Sequence, residues 1–369
     1  MKNELNINII EGENIMEFIR TANYLSGDFF VQITFEKLKT LEGVLVDQNL
    51  KILQDAKNIE LLEYYGNLGF KVVPIRRVSS EKFVSRSFFP RRILAEMTNR
   101  CNSNCRMCPR THLGRDDIDM DKELYKDIID EADKYGVDYF ALYHFGESAL
   151  HKDFRELSSY VGKKENLNSV WLSTNGIAFD QELAKFILLE SGIDFLNYSM
   201  HATNAETYAF VTPSISYKKV RNNLDGLLDL KRKFNQGPIF HIQMIDQEGT
   251  HHNIDEFIET FYESGEVISI LYLEYTDLPN NKFGLNRERP IQVTRCNRIS
   301  RNDCFIDSNG NVHPCEFTAY NASIVLGNVN KNSVFEIWNS DLAKKIRGLN
   351  EDGRMHEMDC CKNCKDFDL

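Results

Sequence analysis

The chain has 369 residues, 42% of them apolar, and a formal net charge of −11 at pH 7. This length allows a large buried core and two or three domains. The acidic balance, with no block of Lys and Arg interleaved with aromatic residues, argues against a nucleic-acid partner. Because we find neither an apolar signal segment nor the ~20 apolar residues of a membrane span, we expect a cytoplasmic protein with no membrane partner.

The first part of the chain has a mixed α/β pattern. Four apolar runs, NINII, FFVQITF, GVLVDQ and FKVVPI, alternate with helix-like stretches such as NIMEFIRTANYL and LKILQDAKNIELLEYY. The polar stretch SSEKFVSRSFFPRR then has the composition of a linker. We therefore predict a small N-terminal α/β domain over residues 1–88.

From Ile93 onward, predicted strands and helices alternate. The helices are expected near 121–135, 153–163, 181–192, 217–234 and 254–264, and the strands are ILAEMTN, YFALYHF, SVWLST, FLNYSM, PIFHIQMI and ISILYL. Parallel strands need helical crossovers, so this alternation predicts a parallel sheet, either a partial barrel or a doubly wound sheet. We assign this domain to residues 89–285 and a cysteine-bearing C-terminal domain to residues 286–369.

The nine cysteines fall into groups, and none occurs in the first 100 residues. Disulfide scaffolds are small and secreted, so clustered cysteines in a large cytosolic chain indicate metal binding or redox chemistry. The segment CNSNCRMC places Cys101, Cys105 and Cys108 directly after a predicted strand, with the spacing CxxxCxxC. Three thiolates in one loop can hold a 4Fe-4S cluster and leave one iron without a protein ligand. A zinc site, which normally needs four ligands, and a chance cluster of structural cysteines are the alternatives.

This arrangement resembles the radical S-adenosylmethionine (AdoMet, or SAM) enzymes, over about Ile93 to Phe367. In that family the CxxxCxxC loop follows the first strand of a partial (β/α)6 TIM-like barrel. The resemblance implies that the open iron binds AdoMet, and that one electron splits AdoMet into methionine and a 5'-deoxyadenosyl radical. It also implies a reductant such as flavodoxin or ferredoxin, with the cofactor supplying the chemistry and the protein the orientation.

The segment HFGESALHKDF resembles the GGE motif of this family. The resemblance assigns Gly146 and Glu147 to AdoMet binding, with Glu147 accepting a hydrogen bond from the methionine amino group. The first Gly of the motif is replaced by Phe145 in this chain.

Two further segments, LSTNG and SMHATNAETY, resemble family segments near the AdoMet carboxylate and ribose. They assign Ser173, Asn175 and Ser199 to cofactor binding, although such residues are also common in turns and helix caps. Gln243 and Glu274 are weaker candidates for the same rim. His144 and His201 are candidate proton-transfer groups, against the alternative of packed, hydrogen-bonded histidines.

The second cysteine set combines Cys296, a Gly310-x4-Cys315 segment and a Cys361-x-x-Cys364 pair. Two strand pieces around an Asn-Gly turn are expected to deliver Cys315 beside Cys296. With LGNV, EIWNS and KKIR between them, these segments resemble the SPASM/twitch extension of radical AdoMet enzymes. The resemblance implies one auxiliary 4Fe-4S cluster held by the four thiolates. A zinc ribbon is the alternative.

Two cysteines remain outside these sets. Cys360 adjoins Cys361 and can replace it as the fourth ligand. Cys304 is a candidate hydrogen donor to a substrate radical, as a cysteine is in radical AdoMet epimerases, or a buried apolar residue, which is the commoner fate of a free thiol.

We therefore predict a radical AdoMet oxidoreductase or epimerase that acts on a small molecule. A dehydrogenase or epimerase of a sugar, aminosugar or cyclitol is the preferred interpretation. A maturase that epimerises or crosslinks a ribosomal peptide is one alternative, and a non-enzymatic iron-sulfur or zinc protein is another.

Overall fold

The computed structural model describes residues 88–213, 215–262, 264, 266–272, 294–362 and 364, together with the backbone of four short strands before them. Those strands form two antiparallel pairs, β1 with β3 and β2 with β4. Each strand lies within one of the four predicted apolar runs, whereas the helices predicted for this region lie outside the described residues. The strands are β1 Ile7–Ile10, β2 Phe29–Ile33, β3 Val44–Asp47 and β4 Phe70–Pro74.

A nine-stranded sheet forms the centre of the described structure. Six of its strands run parallel, each paired with the next one along the chain, as the β/α alternation predicts. The α/β class is thereby confirmed. The six strands are β5 Arg92–Ala95, β6 Tyr139–Ala141, β7 Val170–Thr174, β8 Phe195–Ser199, β9 Ile239–Asp246 and β10 Val267–Tyr272.

The helices between these strands begin at recognisable caps. Asp121 accepts hydrogen bonds from the backbone N–H groups of Glu123 and Leu124, and Asp180 accepts one from Leu183, so each carboxylate satisfies N–H groups that the first turn leaves unpaired. The helices are α1 Lys122–Tyr135, α2 Phe154–Val161, α3 Gln181–Leu189, α4 Ala205–Val211, α5 Tyr217–Phe234 and α6 Ile254–Tyr262. None of the helices among the described residues is long and apolar enough to cross a membrane.

Among the described residues, the C-terminal part adds three strands and four short helices. The predicted hairpin is present, with Gly310 at φ 83° in its turn, a conformation that favours glycine. The elements are α7 Asn297–Ser300, β11 Asp303–Ile306, β12 Asn311–His313, α8 Glu316–Asn321, β13 Gly327–Asn328, α9 Val334–Trp338 and α10 Asp341–Glu351.

The hairpin extends the sheet of the β/α domain. Strand β11 pairs in parallel with β5, from Asp303 beside Arg92 to Ile306 beside Ala95. The sheet order is therefore β10-β9-β8-β7-β6-β5-β11-β12-β13. The sequence predicts the hairpin but gives no sign of this pairing, by which β11, β12 and β13 join the sheet of the β/α domain.

Side chains along the parallel strands alternate between two faces, as strand geometry requires. On β9, Phe240 and Ile242 are fully buried in the core beneath the helices. The alternate positions of β7, β8 and β9 form a polar row of Ser173, Asn197, Ser199 and Gln243, which neighbour one another in the strand register. This inner face is the one on which side chains from neighbouring strands can converge on a ligand.

Candidate active site and cysteine centres

The first cysteine loop directly follows β5. The Ser103 backbone N–H lies 3.4 Å from Cys101 Sγ, and the Ser103 hydroxyl lies 3.2 Å from Cys105 Sγ. The Cys108 N–H donates to the Cys105 carbonyl at 3.1 Å, which tightens the loop. Hydrogen bonds to sulfur of this kind are usual around iron-sulfur clusters, so the loop fits such a cluster.

Burial also affects the loop thiols. It raises the pKa of Cys105 to about 12 and that of Cys108 to about 11. These thiols therefore stay protonated near neutral pH unless a cation binds them, since coordination deprotonates a thiol outright.

The loop is anchored on both sides. The Thr98 hydroxyl donates to the Ile118 carbonyl at 3.1 Å, and the Asn99 side-chain amide donates to the Asp116 carbonyl at 2.8 Å. The Arg106 N–H donates to the Val211 carbonyl at 2.9 Å, which ties the loop to the end of α4. The sequence predicts a strand through Asn99, but β5 ends at Ala95, because the backbone at Met97 and Thr98 pairs with Met120 and Asp119 instead of with the sheet.

Glu147 is a buried carboxylate beside this loop, with 2% of its surface exposed. It accepts hydrogen bonds from the Thr174 hydroxyl at 2.9 Å and from the Asn175 backbone N–H at 2.8 Å. Burial raises the pKa of Glu147 to about 7, although the two hydrogen bonds oppose that change. A buried carboxyl group that titrates near neutral pH is a candidate functional group and, once ionised, can accept hydrogen bonds from an amino group.

Gly146 explains how Glu147 comes so close to the cysteine loop. A Cβ atom at this position would lie 1.9 Å from the Thr98 carbonyl oxygen and 2.9 Å from that of Arg100. Only glycine therefore allows the two backbone segments to pack together here.

Asn175 connects the two parts of the site. Its backbone N–H donates to Glu147, and its side-chain amide lies 3.6 Å from Cys101 Sγ. The structure therefore brings the predicted residues Glu147, Asn175 and Cys101 into one site at the carboxyl ends of β5, β6 and β7. Ser173 and Ser199 lie in the polar row of the inner face, next to this site.

Sequence reasoning missed Asn197 in the polar row. Its side-chain amide donates to the Ser173 hydroxyl at 3.3 Å, and its Oδ1 is buried without a hydrogen-bond partner. The signal was an asparagine two residues before Ser199 in the otherwise apolar run FLNYSM.

Two of the weaker candidates for the site, Gln243 and His201, lie at the same edge. Gln243 belongs to the polar row, while Glu274 falls outside the described residues. His201 has φ 60°, which is uncommon for a residue other than glycine, and burial lowers its pKa to about 4. His201 is therefore neutral at physiological pH in this environment.

Phe145 occupies the position of the missing glycine. Its backbone N–H donates to the Glu96 carboxylate at 3.2 Å, and its ring packs against His144 at 3.9 Å between centroids. His144 Nδ1 lies 3.6 Å from Glu96 Oε2. Sequence reasoning also missed Glu96, although a carboxylate inside the strand-like run ILAEMTN was a visible signal.

The C-terminal cysteines also converge. Cys296, Cys315, Cys361 and Cys364 line one cavity, together with Cys360. Burial raises the pKa of Cys315 to about 11, and a hydrogen bond from Cys361 lowers that of Cys360 to about 7.

These cysteine side chains fit an iron-sulfur cluster, which binds soft thiolate ligands. Four thiolates in a cavity lined by Ile299, Ile324, Ile346 and Met355 suit an iron-sulfur cluster. The sulfur atoms of Cys360 and Cys361 are 3.7 Å apart, so either of these two cysteines can be the fourth ligand. Among the described residues, no three His, Cys, Asp or Glu side chains converge closely enough to hold a single metal ion.

Cys304 is not brought together with these residues. It is fully buried on β11, and its Cα pairs with that of Ile93. Burial raises its pKa, as do the charges of Asp303 and of Glu131 on α1, while the charge of Arg347 on α10 lowers it. The thiol thus belongs to the core beneath the helices.

Family models agree with this arrangement. The radical SAM superfamily model matches residues 95–246, which include the cysteine loop, Glu147 and the polar row. The model of SPASM, an iron-sulfur cluster-binding domain, matches residues 296–365, which include the C-terminal cysteines. The chain is a radical SAM enzyme with a C-terminal SPASM domain. The family predicted from the cysteine spacing is thereby confirmed.

The cofactors of this radical SAM enzyme follow at the level of the family. They are an iron-sulfur cluster and AdoMet in the β/α domain and auxiliary iron-sulfur binding in the SPASM domain. The residues that hold each of them stay predictions.

Relatives of this radical SAM enzyme include both small-molecule and peptide enzymes. An S-adenosyl-L-methionine-dependent 2-deoxy-scyllo-inosamine dehydrogenase from Niallia circulans is 24% identical over 291 residues, covering 75% of this chain and 93% of that protein. Two other curated relatives, 31% and 26% identical, are matched over only 36% and 33% of their own length. This chain therefore spans about a third of those two proteins.

Solved structures share its fold. BtrN in complex with AdoMet and 2-DOIA superposes with a TM-score of 0.52 at 20% identity, covering 75% of this chain and 94% of BtrN. Streptococcus suis SuiB bound to precursor peptide SuiA superposes with a TM-score of 0.58 at 13% identity, covering 85% of this chain and 76% of SuiB. The mixed, mainly parallel sheet is thus that of radical SAM partial-barrel structures.

Proposed function

We propose that this enzyme is an AdoMet-dependent radical dehydrogenase that oxidises a hydroxyl-bearing carbon of a sugar, aminosugar or cyclitol. Cys101, Cys105 and Cys108 hold a 4Fe-4S cluster, and the C-terminal thiolates hold one auxiliary 4Fe-4S cluster. Bound AdoMet and the reduced cluster supply a 5'-deoxyadenosyl radical that removes hydrogen from the substrate carbon.

The protein's own residues orient the cofactor. Glu147 accepts a hydrogen bond from the methionine amino group, and Gly146 keeps this carboxylate against the cysteine loop. Asn175 holds Glu147 with its backbone and contacts Cys101 with its side chain, so the cofactor amine and the cluster loop are positioned by one residue. Such positioning is how an enzyme converts binding into a productive geometry.

The polar row is the observation that carries the substrate class. Asn197 and Gln243 lie on adjacent strands of the inner face, beside Ser173 and Ser199, which are predicted to bind AdoMet, and the buried Asn197 Oδ1 has no hydrogen-bond partner. A buried acceptor without a partner is unfavourable and is satisfied when a ligand brings a donor. Hydroxyl and amino groups of a cyclitol or sugar provide such donors. The extent of the match to the Niallia circulans dehydrogenase supports the same choice.

Dehydrogenation is favoured over epimerisation by the position of Cys304. Its thiol is fully buried in the core beneath the helices, which supports a structural role. Cys296, Cys315, Cys364 and either Cys360 or Cys361 would hold an auxiliary cluster that could accept one electron and pass it to an external acceptor of the flavodoxin or ferredoxin class. Oxidation of a hydroxyl-bearing carbon to a carbonyl would need this one-electron acceptor after the hydrogen atom is removed, with the hydroxyl proton going to a base or water.

The test is an anaerobic assay on the reconstituted, reduced enzyme with AdoMet. A panel of C-deuterated aminocyclitols and aminosugars, beginning with 2-deoxy-scyllo-inosamine, is added, and 5'-deoxyadenosine is analysed by mass spectrometry. Deuterium in 5'-deoxyadenosine together with a carbonyl product supports the proposal. Inverted product carrying solvent deuterium from D2O indicates an epimerase, and absence of transfer from every panel member argues against this substrate class.

A peptide maturase is the second candidate. The superposition on SuiB extends over 85% of this chain, whereas that on BtrN extends over 75%, so more of the chain shares the fold of a peptide-bound enzyme. Precursor peptides encoded beside the enzyme's gene are the probe. A mass change of such a peptide that depends on AdoMet favours this candidate over the dehydrogenase.

A further inference from the structure

Glu96 is a buried carboxylate that the proposed reaction does not use. It lies one residue after β5 and has none of its surface exposed. Arg115 binds it with two parallel hydrogen bonds, Nη1 to Oε1 at 2.6 Å and Nη2 to Oε2 at 2.9 Å. Bidentate pairs of this kind are the strongest and most directional of charged hydrogen bonds.

Two other chain segments meet at the same carboxylate. The Phe145 backbone N–H donates to Oε2 at 3.2 Å, and the Ser308 backbone N–H donates to Oε1 at 3.1 Å. Arg115 Nη1 also donates to the Ser308 hydroxyl at 2.8 Å. The Glu96 side chain therefore joins three segments that are far apart in the sequence.

Each of these segments leads to a part of the site. Arg115 lies seven residues after Cys108, Phe145 lies two residues before Glu147, and Ser308 lies seven residues before Cys315. The carboxylate is thus connected to the radical cluster loop, to the AdoMet-binding glutamate and to the auxiliary-cluster domain.

The environment keeps this carboxylate charged. Burial alone raises the pKa of Glu96, but the neighbouring His144 ring and the hydrogen bonds and charge of Arg115 hold that pKa well below its usual range. Breaking an ionised pair at this depth is strongly destabilising, because removal of one partner leaves the other as an uncompensated buried charge. Backbone N–H groups supply two of the contacts, so the replacement of glycine by Phe145 leaves this connection intact.

We propose that Glu96 is a positioning residue that fixes the separation and orientation of the two iron-sulfur sites relative to the AdoMet glutamate. The inference rests on the proposed ligand sets. Its physical basis is that an error of about 1 Å in the placement of reacting groups can reduce a rate about 10²-fold, even when the mutation lies away from the chemistry.

The test uses the reconstituted holoenzyme of the double variant Glu96→Gln/Arg115→Met. Both charges are removed together, so no unpaired buried charge remains, and Gln retains an acceptor for a backbone N–H. The matched control is Lys231→Met/Glu266→Gln. This pair is 2.6 Å apart, Glu266 also accepts from a backbone N–H, and the two residues belong to α5 and to the segment just before β10, outside the cysteine loop and the C-terminal part.

Three quantities are measured: iron per chain, the cluster-to-cluster distance distribution from pulsed EPR of the reduced enzyme, and the rate of substrate-dependent 5'-deoxyadenosine formation. We expect the double variant to retain its iron, to show a broadened or shifted distance distribution and to lose about 100-fold in rate. The control is expected to keep the wild-type distribution and rate.

A wild-type distance distribution and rate in the double variant overturns the proposal, and so does an equal loss in the control. If the double variant does not fold, Arg115→Lys replaces it, because Lys keeps the charge but not the bidentate bond. An unchanged distribution in Arg115→Lys also overturns the proposal. A wild-type enzyme that lacks two clusters contradicts the ligand sets instead, so the two failures are distinguishable.

Discussion

The two cysteine groups are built in different ways. Cys101, Cys105 and Cys108 belong to one eight-residue loop, whose thiols are held close together by the loop itself, while contacts with Asn175 and Val211 anchor the loop. The C-terminal group combines Cys296, Cys315 and residues 360–364, which only the tertiary fold brings to one cavity. The first group is therefore a local structure attached to a strand end, whereas the second one links distant parts of the chain.

This difference has energetic consequences. A metal cluster that joins distant segments closes long loops of the unfolded chain, and loop-closure entropy makes such links more stabilising than links within a short loop. Binding of iron at the second group should therefore contribute more to folding than binding at the first. In the proposed reaction the two groups rank in the opposite order, because three thiolates would leave one iron of a 4Fe-4S cluster open for AdoMet and four would not.

Single cysteine substitutions give the largest expected effects. Cys105→Ala should abolish 5'-deoxyadenosine formation while the auxiliary iron is retained. Cys315→Ala should retain AdoMet cleavage, lose the oxidised product and lower the unfolding temperature more than Cys105→Ala does. Iron analysis, product analysis and thermal unfolding under argon measure these effects. Equal unfolding temperatures for the two variants would contradict the proposed contrast between local and long-range links.

Gly146→Ala tests the close packing beside the first group. The added methyl group must displace the Thr98 carbonyl, so we expect a loss of about 1–3 kcal/mol in the free energy of unfolding, together with weaker AdoMet binding. Gly226→Ala is the control, because no atom lies within 4 Å of the added Cβ and a helical alanine at this position of α5 should add up to about 1 kcal/mol. Chemical denaturation of the metal-free protein measures both changes, and similar values for the two variants would remove the packing argument.

The pH dependence of AdoMet binding tests Glu147. Its pKa is raised to about 7, so the carboxylate is mostly protonated at pH 6 and mostly ionised at pH 8. Since only the ionised form accepts hydrogen bonds with both oxygens, AdoMet affinity should rise by up to about 10-fold over this interval. Glu147→Gln should bind more weakly at pH 8 and show a flatter profile, which separates this group from the titrating amine of AdoMet. Anaerobic equilibrium dialysis measures the affinity, with the exposed Glu190→Gln as the control.

Cys304→Ala has the smallest expected effect. Removal of this buried sulfur should lower the free energy of unfolding by about 1 kcal/mol and leave both AdoMet cleavage and the product unchanged. The product is compared by chiral chromatography and mass spectrometry. Loss of an inverted product in this variant would establish the hydrogen-donor role and make the enzyme an epimerase.

Much of the fold was readable from the sequence because the signals were local. The alternation of apolar runs and amphipathic stretches predicts all six parallel strands, and helix α5 has the predicted bounds of 217–234. The cysteine spacings predict the family, and the motif around Glu147 predicts a residue that lies against the cysteine loop. Each of these features depends on neighbours within a few turns or on one characteristic spacing.

The features that the sequence did not reveal depend on contacts across long separations. The pairing of β11 with β5 joins residues more than 200 positions apart, and neither strand carries a mark of its partner. In the sequence Glu96 appeared as a single polar residue in an apolar run, because no sequence pattern connects it with its partners Arg115 and Ser308. Asn197 gained meaning only when the strand register placed it beside Ser173.

The place of β5 in the sheet sets how the protein tolerates truncation. With β6 on one side and β11 on the other, its backbone is paired along both edges. A shortened chain that stops before β11 leaves one row of these N–H and C=O groups open, next to the apolar residues Ile93 and Leu94. Exposed strand edges of this kind recruit other chains. Such a fragment is therefore expected to self-associate.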